Sequence, residues 1–265
     1  MPLFHDQMKR VVNLTGMPKR IVSIVPSQTE LLFELGLDTE IAGITKFCIH
    51  PKEKISRATK IGGTKQLNME LIAQLKPDLI IANKEENEQS QVEELMKHYP
   101  VWISDINNLQ TALDMIASVG KMVGRQLEAF DLADQIKRRF DLLIPFQTRL
   151  RVAYLIWRKP YMVAGNDTFI DSMLLLCGFT NAVNQSRYPE LDANKIIDLQ
   201  PDVLLLSSEP YPFSQKHIHE FEQLLPRAQI MLVDGEMFSW YGSRLLHAPA
   251  YFNSLINNLN KITPK

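Results

Sequence analysis

The stretch LNMELIAQLKPDLIIAN, residues 67–83, recurs without gaps as LDANKIIDLQPDVLLLS, residues 191–207. Five of the seventeen pairs are identical: Leu67 with Leu191, Ile72 with Ile196, Leu75 with Leu199, Pro77 with Pro201 and Asp78 with Asp202. Each copy reads as an amphipathic helix stopped before a proline, then a continuous run of Leu, Ile or Val. Short continuous apolar runs belong to parallel strands covered on both faces. A helix–proline–strand unit that occurs twice, 124 residues apart, predicts two similar α/β halves with mainly parallel sheets.

The flanks extend the symmetry. Residues 18–37, PKRIVSIVPSQTELLFELGL, begin β-branched and then place Leu31, Leu32 and Leu35 on one helical face before Gly36. Ser27 and Glu30 have capping-box spacing, and Pro26 sharpens the boundary by disfavouring helix at Val25. A looser echo appears as RVAYLIW at 151–157, followed by FIDSMLLLCGF at 169–179. Between the halves, residues 110–150 are helical in pattern throughout. Leu127, Phe130, Leu132, Ala133, Ile136, Phe140 and Leu143 mark an apolar face, so Arg125 to Ile144 predicts one helix roughly 30 Å long. Nothing in it is rich in Gly or Ser, which makes it a stiff tether. The expected organisation is an N-terminal lobe at 1–122, a connecting helix at 123–145 and a C-terminal lobe at 146–265.

Composition narrows the function. The chain has 265 residues, 45% of them hydrophobic and 22% charged, enough for its own core. Twenty-nine Lys and Arg against 30 Asp and Glu leave a net charge of −1, with no positive field to attract a phosphate backbone. Nucleic acid is not an expected partner. The longest apolar runs, such as Met173 to Cys177, fall far short of the ~18 residues of a membrane span. The opening MPLFHDQMKR has no secretory pattern, which leaves a cytoplasmic protein or a trimmed sequence as readings. Cys48 and Cys177 read as two buried thiols, with one disulfide as the other option.

In open α/β folds ligands sit beyond the carboxyl ends of the strands, so the residues that follow predicted strands are the candidates. In the first half these are Pro26 and Ser27; Lys46, Phe47, Cys48 and His50; Gly62, Gly63 and Thr64; and Asn83 and Glu85. In the second they are Trp157, Arg158 and Tyr161; Arg187 and Tyr188; Glu209 and Tyr211; and Phe238, Trp240, Tyr241 and Arg244. Aromatic rings and guanidinium groups together suit a large, flat or partly anionic ligand. No phosphate-loop, dinucleotide, serine-elbow, zinc-helix or C-x-x-C motif is present. Cys48 with His50 is a weak metal pair, and the helical spacing around His217 and His219 separates that pair; no metal site and no cofactor is predicted. KEENEQSQVEEL, residues 84–95, reads as the solvated first turns of a helix.

The motifs resemble the helical-backbone (class III) substrate-binding proteins of ABC importers for metal chelates, most of all the cobalamin-binding branch. The resemblance rests on residues 18–37, on IGGTKQLNMELIAQLKPDLIIA at 61–82, on SRYPELDANKIIDLQPDVLLL at 186–206 and on WYGSR at 240–244. It implies two Rossmann-like lobes joined by one long rigid helix, with a corrinoid, ferric siderophore or haem held in the cleft. Phe47 matches an aromatic lining residue of cobalamin binders. Thr64, in the Gly63–Lys65 loop, and Glu190 stand where those proteins often present tryptophan. The full set of expected ligand contacts is Pro26, Ser27, Phe47, His50, Gly63, Thr64, Trp157, Tyr161, Arg187, Tyr188, Trp240 and Arg244. The resemblance also implies docking on an ABC permease through one glutamate per lobe, where Glu70 matches the first and Asn194 stands at the second.

Three functions follow as expectations. The first is a monomeric, non-enzymatic binding protein that passes a metal chelate to an importer, placed by resemblance in the periplasm or on the cell surface. The second is a cytoplasmic tetrapyrrole-handling enzyme such as a chelatase, with His50 or Glu85 as general base. The third is a degenerate relative that acts as a sensor or partner-binding module, motivated by Asn194.

Overall fold

The two repeats are built alike down to their caps and breaks. In each, the second residue is the helix N-cap: the Asn68 side chain accepts from the Leu71 N–H, and that of Asp192 from the Lys195 N–H. In each, the residue before the proline turns left-handed, Lys76 at φ 46° and Gln200 at φ 45°, which ends the helical stretch. The repeated aspartate then anchors the strand. Asp78 accepts from the backbone N–H groups of Lys19 and Arg20 at 2.8 and 2.9 Å, and Asp202 from that of Arg151 at 2.7 Å. The arginines reciprocate: Arg20 donates to the Lys76 carbonyl and Arg151 to the Leu199 carbonyl.

This computed structural model describes residues 3–262. The chain divides into two compact units. One comprises residues 1–106, 110–136 and 241–244; the other comprises 107–109, 137–240 and 245–265.

The N-terminal lobe begins with a hairpin of β1 (Leu3–His5) and β2 (Val11–Asn13). Then follow β3 (Ile21–Ser23), α1 (Pro26–Glu34), β4 (Ile41–Ile44), β5 (Thr59–Lys60), α2 (Met69–Leu75), β6 (Leu79–Asn83), α3 (Gln89–Met96), β7 (Val101–Ser104) and α4 (Leu109–Met122). Its sheet has the order β5-β4-β3-β6-β7 and every pairing is parallel. The chain starts in the middle, winds outward to β5 and returns to β6, so the switch point lies between β3 and β6. Ile21, Val22, Leu79, Ile80 and Ile81 are fully buried, as the continuous apolar runs require. α3 begins only at Gln89; residues 84–87 form a turn, because Asn83 folds the chain back before a helix can start.

The helical segment predicted over 125–144 is narrower in the structure. α5 runs Gln126–Asp141, ~24 Å of helix. Gly124, at φ 71°, separates it from α4, and the two units meet in sequence within it, between Ile136 and Lys137. Ala129 fits α5 closely to Gly120 of α4, where a Cβ would lie 2.1 Å from the alanine methyl.

The C-terminal lobe contains β8 (Arg151–Trp157), β9 (Tyr161–Val163), α6 (Phe169–Leu176), β10 (Thr180–Asn181), β11 (Glu190–Leu191), α7 (Ala193–Asp198), β12 (Val203–Ser207), α8 (Gln215–Leu224), β13 (Gln229–Val233), α9 (Gly235–Ser239) and α10 (Ala248–Ile262). Its sheet order is β11-β9-β8-β12-β13, with β10 beside the start of β8. β8, β10, β12 and β13 pair in parallel, while β9 and β11 are antiparallel. The echo of the first strand–helix unit is therefore interrupted: a hairpin, β8–β9, stands where β3 runs directly into α1.

Candidate functional site

At the carboxyl ends of the N-terminal sheet, α1 starts with Pro26 in its first turn, since a fixed φ and a missing N–H suit that position. This overturns the predicted capping box. Proline starts the helix two residues early, Val25 occupies the N-cap in place of Ser27, and the buried Ser27 hydroxyl has no hydrogen-bond partner among the described residues. Glu30 instead receives Arg244, with Nε–Oε2 at 3.1 Å and Nη2–Oε1 at 2.5 Å. The arginine sits in Tyr241–Arg244, four residues whose contacts belong to this lobe. Beside it the Tyr241 hydroxyl donates to Glu86 at 2.5 Å.

The loops after β4, β5 and β6 are tied together by backbone acceptors. The Lys46 N–H donates to the Gly62 carbonyl at 2.8 Å. Gly62 has φ 102°, and a Cβ there would meet the Gln66 carbonyl oxygen at 2.4 Å, so this turn requires glycine. Asn87 donates to the Ile24 and Thr64 carbonyls at 3.0 and 3.2 Å, and Lys65 to those of Glu85 and Asn87 at 2.8 and 3.1 Å. Asn83 accepts from the N–H groups of Glu85 and Glu86. The result is a firm platform that leaves the Phe47 side chain outside. Phe47 is 51% exposed, with Lys46 Nζ 5.1 Å from its ring centre. Gly63 lies beneath it, where a Cβ would be 3.2 Å from the ring edge. Thr64 and His50 are half-buried nearby in sequence. Cys48 is buried between the hydroxyls of Thr29 and Thr45, and burial raises its pKa. Cys48 and Cys177 are both buried free thiols.

The corresponding face of the C-terminal lobe is an aromatic cluster built on β8, β9 and α8. Trp157 is 40% exposed and meets Tyr211 edge-on, with centres 5.7 Å apart. Tyr211 packs on Phe213 at 4.7 Å and on His217 at 5.5 Å. His217 Nδ1 accepts from the Ser214 N–H at 2.9 Å, which leaves the ring proton on Nε2, facing the Tyr211 hydroxyl. Burial lowers the His217 pKa, helped by Lys216 and Arg158. Glu220 takes Arg158, with Nε–Oε2 at 3.0 Å and Nη2–Oε2 at 2.8 Å, and accepts from the Tyr161 hydroxyl at 3.0 Å. Partial burial pushes the Glu220 pKa up, but these partners outweigh it and hold it below the ordinary value.

A second carboxylate, Glu209, lies beyond β12. It accepts from the Ser239 hydroxyl at 2.7 Å and from the Trp240 indole at 2.8 Å, and burial raises its pKa. Trp240, an expected ligand contact, and Tyr241, a strand-end candidate, are each only 6% exposed, with their polar ends on Glu209 and Glu86. Arg187 is exposed at φ 68° and donates to the Asp167 carbonyl at 3.4 Å; Tyr188 is half-buried. Glu70 and Asn194 are both exposed at the second residue of α2 and α7. Among the described residues no three His, Cys, Asp or Glu gather as a metal site, and no helix is long and apolar enough to cross a membrane.

The pattern of the periplasmic binding protein family matches residues 21–225. The chain belongs to that family. It is 27% identical over 213 residues to an uncharacterised ABC transporter substrate-binding lipoprotein of Bacillus subtilis, covering 76% of this chain and 67% of that one. It is 23% identical over 253 residues to the vitamin B12-binding protein of Pectobacterium carotovorum subsp. carotovorum, covering 92% and 91%. Among solved structures, the periplasmic haem-binding protein of Roseiflexus sp. RS-1 shares the fold with a TM-score of 0.74 at 22% identity, over 93% of this chain and 99% of that one. The fold class and the resemblance read from the repeats agree with these relatives.

Sequence reasoning missed the partners rather than the residues. Arg158, Arg244 and Glu209 were all candidates by position. Glu30 and Glu220, which hold the two arginines, are 214 and 62 residues away in the chain, and no local pattern announces them.

Proposed function

We propose that this protein is the substrate-binding component of an ABC-type importer for a metal chelate, a corrinoid first and a haem or ferric siderophore second. It binds and releases the chelate without chemical change. The observation that carries this reading is an exposed flat ring at the strand ends of each lobe, Phe47 and Trp157, on a family member whose relatives include vitamin B12-binding proteins. Large rings left half in water at the ends of strands supply apolar contact area with little conformational entropy to lose. Pro26, Ser27, His50, Gly63, Thr64, Tyr161, Arg187, Tyr188, Trp240 and Arg244 complete the proposed ligand environment, by direct contact or by holding those loops.

Glu70, exposed near the start of α2, is the proposed contact with a basic pocket of an ABC permease; Asn194 offers a neutral contact from α7. The protein then works as a monomer in the periplasm or at the cell surface. Titration by absorbance and calorimetry with cobalamin, cobinamide, haem and a ferric hydroxamate tests the reading. Binding of at least one with Kd below about 100 μM is expected. Failure of all four at that concentration overturns it.

A further inference from the structure

Tyr211 follows β12 and lies half-buried in the aromatic cluster, edge-on to Trp157, which is 40% exposed. Two donors converge on its hydroxyl oxygen. The first is His217, whose buried ring is fixed by the start of α8. Its Nδ1 accepts from the Ser214 N–H at 2.9 Å and lies 3.2 Å from the Ser214 hydroxyl. Burial, with the charges of Lys216 and Arg158, favours the neutral ring, against the pull of Glu220. A neutral imidazole that accepts at Nδ1 carries its proton on Nε2, so Nε2 has no lone pair to offer. The 3.3 Å contact between Nε2 and the Tyr211 hydroxyl is then a bond that the histidine donates and the tyrosine accepts. The second donor is Arg158, whose guanidinium reaches the Tyr211 hydroxyl as well as Glu220 and has no acceptor of its own. With the oxygen accepting from behind, the phenolic proton points away from both groups. Tyr161 shows the opposite arrangement: its hydroxyl donates to Glu220 at 3.0 Å, so its proton is spent inside the lobe. Among the described residues no acceptor meets the Tyr211 proton.

We infer that Tyr211 donates a hydrogen bond to an oxygen acceptor on the rim of the ligand seated against Trp157, and that His217 is a positioning residue that fixes the direction of that donation. This rests on the proposed binding of a chelate and adds a point of recognition to it. The acceptor is a carbonyl or carboxylate oxygen, which an amide side arm, a propionate and a hydroxamate all present. A phenol that accepts from two donors is polarised toward stronger donation of its own proton.

The test measures Kd for cobinamide, haem and a ferric hydroxamate, and carries those that the wild type binds into the variants. Tyr211→Phe keeps the ring and removes the proton, and should weaken binding about five- to tenfold. His217→Ala should weaken it about three- to fivefold, while His217→Gln, whose amide keeps a donor toward Tyr211, should stay within about twofold of the wild type. In the Tyr211→Phe background His217→Ala should add less than about twofold, because a residue that acts through another has nothing left to act on. The pH profile separates positioning from packing. Protonation makes Nδ1 a donor that must release the Ser214 N–H, so wild-type affinity should fall as pH drops below the ordinary histidine range, and His217→Gln should lack that fall. Of the charged groups that face the ring, Lys216 and Arg158 are cations and Glu220, whose pKa is depressed, titrates at lower pH. Unchanged affinity in Tyr211→Phe overturns the inference, as does a His217→Ala loss that is fully additive to it. If His217→Ala melts well below the wild type, Tyr211→Phe and the pH profile of His217→Gln decide: a profile identical to that of the wild type removes the positioning role. If none of the three chelates binds the wild type, the binding function itself falls, and this inference with it; wild-type binding that is indifferent to Tyr211 sinks the inference alone.

Discussion

The amino ends of the two sheets are near copies, while their carboxyl ends have little in common. At the amino ends, Asn68 matches Asp192 as helix cap, Lys76 matches Gln200 as left-handed stop, and Asp78 matches Asp202 as backbone anchor. At the carboxyl ends, β3 passes directly into α1 through Pro26, whereas the corresponding β8 ends on Trp157 and turns back through β9. Ser23 hydrogen-bonds with Thr29 inside the first lobe, while its counterpart Tyr154 fills the second lobe's core and donates to Ser207. The difference teaches where each constraint acts. Strand anchoring is the same problem in both lobes and keeps the same solution; the carboxyl ends, where open α/β folds bind their ligands, have diverged.

The largest effect should come from the shared anchor. Asp78→Ala removes a carboxylate that accepts two backbone N–H groups and should destabilise the protein by about 2–3 kcal/mol. Asp202→Ala, which removes one such bond to Arg151, should cost about 1.5 kcal/mol in the same urea titration. No loss in either variant would break the equivalence of the two repeats, and equal losses would remove the expected difference between two accepted bonds and one.

The next effect separates the diverged ends. Phe47→Ala and Trp157→Ala should each weaken chelate binding by about 1–2 kcal/mol, roughly five- to thirtyfold in Kd, with thermal unfolding nearly unchanged. A variant that binds normally would remove that lobe's ring from the ligand environment.

A pH series sharpens the contrast between two carboxylates of the C-terminal lobe. The Glu220 pKa is depressed in the fold, so its contribution is present above the ordinary glutamate range and is lost as pH falls through its folded value. The Glu209 pKa is raised by burial, so its contribution has the opposite sign: it favours the fold when protonated and is lost as pH rises through the folded value. Stability against pH should therefore lose a decline toward low pH in Glu220→Gln and a decline toward higher pH in Glu209→Gln. Identical pH profiles for the two variants would contradict both assignments.

The smallest effect returns to the amino ends. Lys76→Gly and Gln200→Gly relieve a left-handed backbone and should each raise stability by at most about 1 kcal/mol. A loss in either variant would show that its side chain contributes more than its backbone strain costs.

Much of this architecture is legible in the sequence because it is local. Pro77 and Pro201 stop helices, continuous Leu, Ile and Val make strands covered on both faces, and Asn or Asp before a helix supplies a cap; each acts within a few residues. The misreadings are also local in origin. Ser27 and Glu30 have the spacing of a capping box, but the fixed φ of Pro26 starts the helix first and frees Glu30 for Arg244. A periodic apolar face over 125–144 does not reveal that the helix closes at Asp141.

The sequence by itself determined two α/β lobes, their mainly parallel sheets and the strand ends that carry the candidate residues, since periodicity and breakers act through neighbouring residues. Only the tertiary structure decided which of those strand-end groups remain available. Trp240 and Tyr241 are buried on carboxylates, Arg158 and Arg244 are neutralised by Glu220 and Glu30, and the Phe47 and Trp157 side chains remain exposed. Pairing of charges depends on which distant residues share a few ångströms of space, and distance along a chain carries no record of that.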